Sequence, residues 1–154
     1  MKDVRELLGE HDFFADMDPS HLDLMAGCGH NVTAPAGDLL IREGEPAGTF
    51  YALREGKVAL EVNIPHRGPI TIATVGPGEV LGVSWLFPPF HWQFDGHVVE
   101  PVHAVALDGV CLRGKCQADT GLGFDLMQRF AAVLAGRLHA TRVQLVDLYG
   151  HETP

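Results

Sequence analysis

Residues 35–62 read PAGDLLIREGEPAGTFYALREGKVALEV, and the glycines Gly37, Gly44 and Gly56 cut this stretch into short pieces. Glycine adopts positive φ without steric cost, so glycines at this density mark tight turns. Between them the side chains alternate. In KVALEV, Val58, Leu60 and Val62 fall on one face while Lys57, Ala59 and Glu61 fall on the other, which is the period of a half-buried strand. DLLI (38–41), ITIATV (70–75) and VHAVAL (102–107) are further β-rich runs, and Gly68, Pro69, Gly76, Pro77, Gly78 and Gly82 continue the punctuation. Short strands separated by such turns predict a mainly β fold, a sandwich or barrel of about eight strands.

Helical signals flank this β region. Asp18 followed by Pro19 is an N-cap with proline at the first helical position, and Leu22, Met25 and Ala26 then give a short amphipathic turn or two. From about residue 122 to 149 the period becomes helical, with Gly150 as a stop. Met127, Ala131, Leu134, Leu138, Thr141, Leu145 and Leu148 recur at alternating steps of four and three, the spacing of a heptad seam. Phe130 and Val133 supply a second stripe. One stripe can pack on the β region while the other meets a partner, so a parallel homodimer through this helix is predicted; a single-sided core helix is the alternative. Gly123 and Gly136 each cost the helix roughly 1 kcal/mol of propensity, so it depends on packing to form. The predicted organisation is one domain over 1–154, with a helical segment at 1–30, a β-roll at 31–111 and C-terminal helices at 112–150.

Composition removes several classes of function. A chain of 154 residues buries roughly 70% of its surface on folding and suits one core. Its 20 acidic and 11 basic residues give a formal charge of -9, which repels nucleic acid. No apolar run reaches the roughly 18 residues of a membrane span, and MKDVRELLGEHDFF is too acidic for a signal peptide. Cys28, Cys111 and Cys116 form no CxxC pair and are odd in number, so reduced thiols in a cytoplasmic protein are expected.

Residues 35–62 together with GPGEVLG (76–82) closely resemble the cyclic nucleotide-binding domain of Crp/Fnr-type regulators and kinase regulatory subunits. The glycine spacing carries the likeness, which runs from PSHLDLMAG to the long C-terminal helix. It implies an eight-stranded jelly roll with short N-terminal helices and a long C-terminal one. It also implies a phosphate cassette after the sixth strand, of the pattern Gly-Glu-hydrophobic-Gly/Ala-Leu followed by Arg-Ser/Thr-Ala, in which the glutamate meets the ribose and the arginine meets the cyclic phosphate.

Here the sequence departs from that pattern. In VLGVSWLFPPFHWQFDGH (80–97), Gly82 takes the cassette glycine, Val83 takes the place of the glutamate, and the arginine position falls at Trp92 or Gln93, followed by Phe94. A register anchored on Gly78 and Glu79 restores an acid but no arginine, because Lys and Arg are missing everywhere from 68 to 112. A buried phosphodiester needs charge-assisted hydrogen bonds worth about 1.5–3 kcal/mol each, and backbone N–H groups replace only part of that. Ser84, Trp85, Trp92, Gln93 and Phe94, with Gly82 and Val83, are the candidate ligand residues beside Phe90 and His91. They could line an aromatic pocket, plug the vacated cassette, or form with Pro88-Pro89, read as a stiff extended loop, a docking patch for a protein. Thr141 matches the family's base-contacting threonine. Arg142 beside it could supply the missing charge to its own or a partner's pocket, or be an ordinary solvated arginine.

The nine histidines show no ligand spacing: His97 and His103 would stand roughly 20 Å apart on one strand, and His91 with Asp95 gives only two ligands. Haem sensing occurs in the family, with Cys28, His30 or His103 as conceivable axial ligands. No GxSxG, GxxxxGK, GxGxxG or HExxH motif is present, and Ser20 and Ser84 are the only serines, so no enzyme is expected. Full-length family activators continue into a basic helix-turn-helix module that does not follow here. The expected function is therefore a stand-alone regulatory dimer that does not itself read DNA. Its ligand would be a cyclic nucleotide (cyclic AMP or cyclic GMP) or a non-nucleotide molecule; alternatively, its pocket is closed and it docks a protein.

Overall fold

In the computed structural model, residues 2–86 and 88–150 are described; Met1, Phe87 and residues 151–154, all inside the span read as one domain, lie outside the described residues. The chain begins with α1 (Val4–Glu10), a 3-10 turn (Asp12–Phe14) and α2 (Pro19–Ala26). Asp18 caps α2 as the sequence predicts, accepting from the backbone N–H of Ser20 at 2.8 Å. The β region holds β1 (Gly29–Ala34), β2 (Leu39–Ile41), β3 (Thr49–Ile64), β4 (Gly68–Val75), β5 (Val80–Leu81) and β6 (Asp95–Asp108); α3 (Gly109–Ala118) and α4 (Thr120–Gly150) follow. The strands are antiparallel in the order β1-β6-β3-β4, with β2 also paired to β6 and β5 to β3.

Among the described residues there are six strands where the sequence predicts about eight, and Gly56 shows why. It has the positive φ expected of it, +94°, yet it sits inside the 16-residue β3, where the register with β6 shifts between Leu53 and Val58. The glycine marks a bulge that bends one continuous strand, whereas the sequence reads it as a turn between two. No side chain fits there, because a Cβ on Gly56 would run into the Pro101 carbonyl.

That bulge also switches which face of β3 is inside. Before it, Phe50 and Ala52 pack toward the helices and Leu53 packs into the roll; after it, Val58 and Leu60 line the roll interior. Strand β6 serves both layers in the same way, with Val98, Val102 and Ala104 inward and Val105 and Leu107 under the helices. Each fully buried aliphatic or aromatic side chain contributes about 1.5–3 kcal/mol. Helix α4 joins this core through Leu122, Leu126 and Phe130, which are buried. The predicted heptad seam lies elsewhere on the helix: Met127, Leu134, Leu138, Leu145 and Leu148 are between 41% and 59% exposed, and Thr141 is exposed too.

The expectation of three reduced thiols is corrected by the fold. Cys28, between α2 and β1, and Cys111, in the first turn of α3, are joined by a disulfide with their Cα atoms 5.7 Å apart, and Cys116 alone is free. This pairing joins residues 83 apart in sequence, a tertiary juxtaposition that cysteine spacing does not encode. Among the described residues no helix is long and apolar enough to cross a membrane.

Candidate functional site

The segment between β5 and β6 is built around Gly82. With φ at +99°, this residue turns the chain out of β5 into a 3-10 turn (Ser84–Leu86). The loop then crosses the end of the roll and is stitched to residues 44–47. Ala47 N–H donates to the Phe90 carbonyl at 2.7 Å, Trp92 N–H donates to the Glu45 carbonyl at 2.9 Å, and Gly44 N–H donates to the Trp92 carbonyl at 2.9 Å. The peptide bond joining Pro88 to Pro89 is cis, and the chain turns there, in contrast to the extended run expected of a Pro-Pro step.

Trp92 enters the roll. It is 6% exposed and packs in the interior cluster with Leu53, Val58, Leu60, Leu81 and Val98. Its indole lies directly on Gly82: a Cβ built on that glycine would stand 2.7 Å from Trp92 Cη2 and 2.8 Å from Cζ3. Gly82, which the sequence reading aligns with the family's cassette glycine, is thus covered by Trp92, one of the two residues that it aligns with the arginine.

Trp85 points the other way. It is fully buried beneath α4, stacked on Phe50 with centroids 5.4 Å apart and edge-on to Phe130 at 5.9 Å. Phe13 and Phe14 extend this aromatic cluster to the N-terminal segment. The Trp85 indole N–H has no hydrogen-bond partner among the described residues. The two tryptophans therefore belong to different layers and do not form one pocket. Ser84 is buried, and half-buried Val83 meets Phe130, Val133 and Leu134 of α4 in a seam with no room for a water molecule. Phe94 is half-buried against the roll cluster. Gln93 is exposed, its side-chain amide donating to the His91 carbonyl at 3.2 Å. Thr141 and Arg142 are exposed on α4, and the Thr141 hydroxyl donates within its own helix to the Arg137 carbonyl at 2.9 Å.

Two arginines that the sequence does not single out hold β5 and the segment between it and β6 instead. Arg113 of α3 donates to the Trp85 carbonyl and lies 4.5 Å over the Phe90 ring, a cation-π contact that fastens the loop at both ends of the Pro-Pro turn. Arg137 of α4 donates to the Val80 carbonyl at 3.0 Å. Burial pulls its guanidinium down from the ordinary arginine value, with Glu79 opposing, and arginine keeps its charge in such surroundings. The signal for Arg137 was present in the sequence: it continues the stripe Leu126, Phe130, Val133 that faces the roll, and a charge on a core-facing stripe needs a partner.

A separate cleft of about 300 Å³ lies on the N-terminal side, lined by Glu10, His11, Asp12, Arg54, Glu55 and Pro77 among others. His11 is buried in its wall. Its Nδ1 accepts from the Phe13 N–H at 3.2 Å, so Nε2 carries the proton and donates to the Leu53 carbonyl at 2.8 Å. Burial depresses its pKa, opposed by the Leu53 hydrogen bond and by Asp12. Among the described residues no group of three or more His, Cys, Asp or Glu is arranged to hold a metal ion.

Comparison with known proteins agrees with this architecture. The CRP-like cAMP-activated global transcriptional regulator of Mycobacterium tuberculosis is 27% identical over 149 residues, 97% of this chain; the chain spans 65% of that relative's length. The solved structure of a candidate cyclic nucleotide-binding protein from Geobacter metallireducens GS-15 is 29% identical, covers 90% of this chain and all of its own, and superposes with a TM-score of 0.79. The N-terminal domain of a transcriptional regulator from Streptomyces coelicolor A3(2) is 27% identical, with a TM-score of 0.69 over 88% of this chain and 94% of its own. The cyclic nucleotide-binding domain family matches residues 31–119, from early β1 through α3, so the roll, the Gly82 turn and the first C-terminal helix together place the chain in the cyclic nucleotide-binding domain family.

Proposed function

We propose that this chain is a regulatory domain of that family in which Trp92 has closed the nucleotide site, and that it works as a homodimer through α4. The observation that carries the first part is the Trp92 indole lying on Gly82 inside the roll. An anionic phosphodiester entering there would have to displace an aromatic ring that buries about 150–250 Å², and would then meet a segment without a single Lys or Arg from 68 to 112. The M. tuberculosis relative is cAMP-activated by name. This chain keeps the scaffold but offers neither the acid nor the arginine at the matching cassette positions. Gln93, His91, Pro88 and Pro89, exposed beside the closed site, are then free to serve as a protein-facing surface.

The second part rests on α4. Its inward stripe ends in the core at Phe130 and in the Arg137 contact, while Met127, Leu138, Leu145 and Leu148, with the exposed Thr141 among them and Leu134 at the edge of the Val83 seam, form an outward, mainly apolar line over the same helix. A monomer would leave that line in water, and a second copy of α4 covers it by heptad packing. Native mass spectrometry of the purified protein, alone and with cyclic AMP or cyclic GMP, tests both parts. The dimer mass without nucleotide adducts is expected, and Leu138→Glu should shift the population to monomer. A stoichiometric nucleotide adduct overturns the closed site, and a monomeric wild-type protein overturns the dimer.

A further inference from the structure

We propose that Cys28 and Cys111 are a reversible redox pair that fastens the helical segment before the roll to the helices after it. The inference is independent of whether the nucleotide site is closed. Cys28 stands between α2 and β1, Cys111 lies in the first turn of α3, and the disulfide between them encloses the entire roll, 83 residues apart in sequence. The two ends are held in register without the bond. The Asp108 N–H donates to the Cys28 carbonyl at 2.9 Å, and Lys115 Nζ donates to the Leu24 carbonyl at 2.6 Å. His21 stands 3.6 Å from Asp119, and Arg129 donates to the carbonyls of Phe13 at 2.7 Å and Ala15 at 2.9 Å. These ties keep the sulfur atoms facing each other after reduction, so that the bond can re-form in the folded protein.

Access is one-sided. Cys28 is buried, whereas Cys111 is half-buried beside Val110, which is 68% exposed, so a reductant reaches the Cys111 sulfur first. A dithiol of the thioredoxin or dihydrolipoate class attacks Cys111 Sγ as its thiolate. The protein S–S bond breaks, and Cys28 leaves as a thiolate that takes up a proton. The reductant's second thiolate then displaces Cys111 from the mixed disulfide, Cys111 takes up the second proton, and the reductant ends as a disulfide. Two electrons and two protons have moved to the protein. A small-molecule disulfide such as oxidised glutathione runs the sequence backwards. Cys116 does not compete, since burial and Asp119 push its thiol pKa up and leave it a poor nucleophile.

The bond sets how firmly α1 and α2 stay on α3, and through α3 how α4 sits on the roll. Differential alkylation and hydrogen exchange on the whole chain test this. The oxidised protein, denatured with iodoacetamide, should take one label at Cys116 and, after dithiothreitol, three. Oxidised glutathione added to the folded reduced protein should restore the single-label state with a Cys28–Cys111 cross-linked peptide. Amide exchange in α1, α2 and α3 should rise about tenfold on reduction, with β3 and β6 unchanged. Cys116→Ser should cycle as the wild type does, and Cys28→Ser should show the reduced exchange pattern in either buffer. Three labels after glutathione treatment, a cross-link through Cys116, or identical exchange in the two redox states would overturn the proposal.

Discussion

Replacing Trp92 with alanine separates a ring that fills the roll from a ring that merely lies across its mouth. The side chain is 6% exposed and touches the interior cluster as well as Gly82. Burial of about 150–250 Å² of aromatic surface, at about 25 cal/mol per Å², is a contribution of about 4–6 kcal/mol, and buried Trp-to-Ala truncations cost about 3–5 kcal/mol. The loop is tied to residues 44–47 by backbone bonds that the substitution leaves in place, so the site collapses incompletely, a cavity remains, and a loss at the upper end of that range, about 4–5 kcal/mol, is expected. Urea denaturation followed by circular dichroism reads this as a drop in midpoint at unchanged slope. The vacated space is apolar and lined by Leu53, Val58, Leu81 and Val98, so free indole should bind the variant and restore part of the lost midpoint, as a dry engineered cavity takes up a small aromatic. A loss below about 1 kcal/mol, the range of an ordinary surface substitution, without indole rescue would refute the placement of Trp92 inside the roll.

Four further outcomes follow from the same structure. Gly82→Ala combines a positive φ with a Cβ 2.7 Å from the Trp92 ring and should cost about 2–4 kcal/mol by thermal or urea unfolding. Gly37→Ala, with φ at +98° but no atom within 4 Å of the added Cβ, should cost about 1 kcal/mol. Arg113→Met removes the hydrogen bond to the Trp85 carbonyl and the contact over Phe90. It should cost about 1–3 kcal/mol and raise hydrogen exchange in residues 84–93. His11 is held neutral in the fold, with its pKa depressed by burial, so the unfolded chain binds the extra proton first. Its contribution is full above about pH 6.5 and is lost as pH falls through the folded pKa. His11→Gln should flatten that acid limb of the stability profile, and an unchanged limb would show that other groups produce it.

Much of this architecture is legible in the sequence, because its signals are local. The alternation in KVALEV appears as Val58 and Leu60 inside the roll, the Asp18-Pro19 cap as the start of α2, and the two apolar stripes of the last helix as one buried and one exposed face. Gly56 misleads because positive φ serves a bulge as well as a turn, and only the partner strand distinguishes them. The loss of the cassette's charge is also readable, being an absence of residue types over 45 positions, 68 to 112. What replaces it is not. Residues 82–94 lack any period that would tell Trp85, under α4, from Trp92, inside the roll. Arg113 and Arg137 act by donating to backbone carbonyls of distant elements, contacts that arise only when the helices are folded back on the roll. The Cys28–Cys111 pairing has the same tertiary origin.

The most direct test of the central claim is a calorimetric titration of the wild-type protein, with its disulfide intact, against cyclic AMP and cyclic GMP. With Trp92 closing the roll and no cation in the segment that would face the phosphate, no saturable heat is expected up to about 1 mM nucleotide, an affinity weaker than about -4.1 kcal/mol. Saturable binding of either nucleotide at micromolar concentration, lost on competition with the other, would contradict the closed site and show that the ring yields to a ligand.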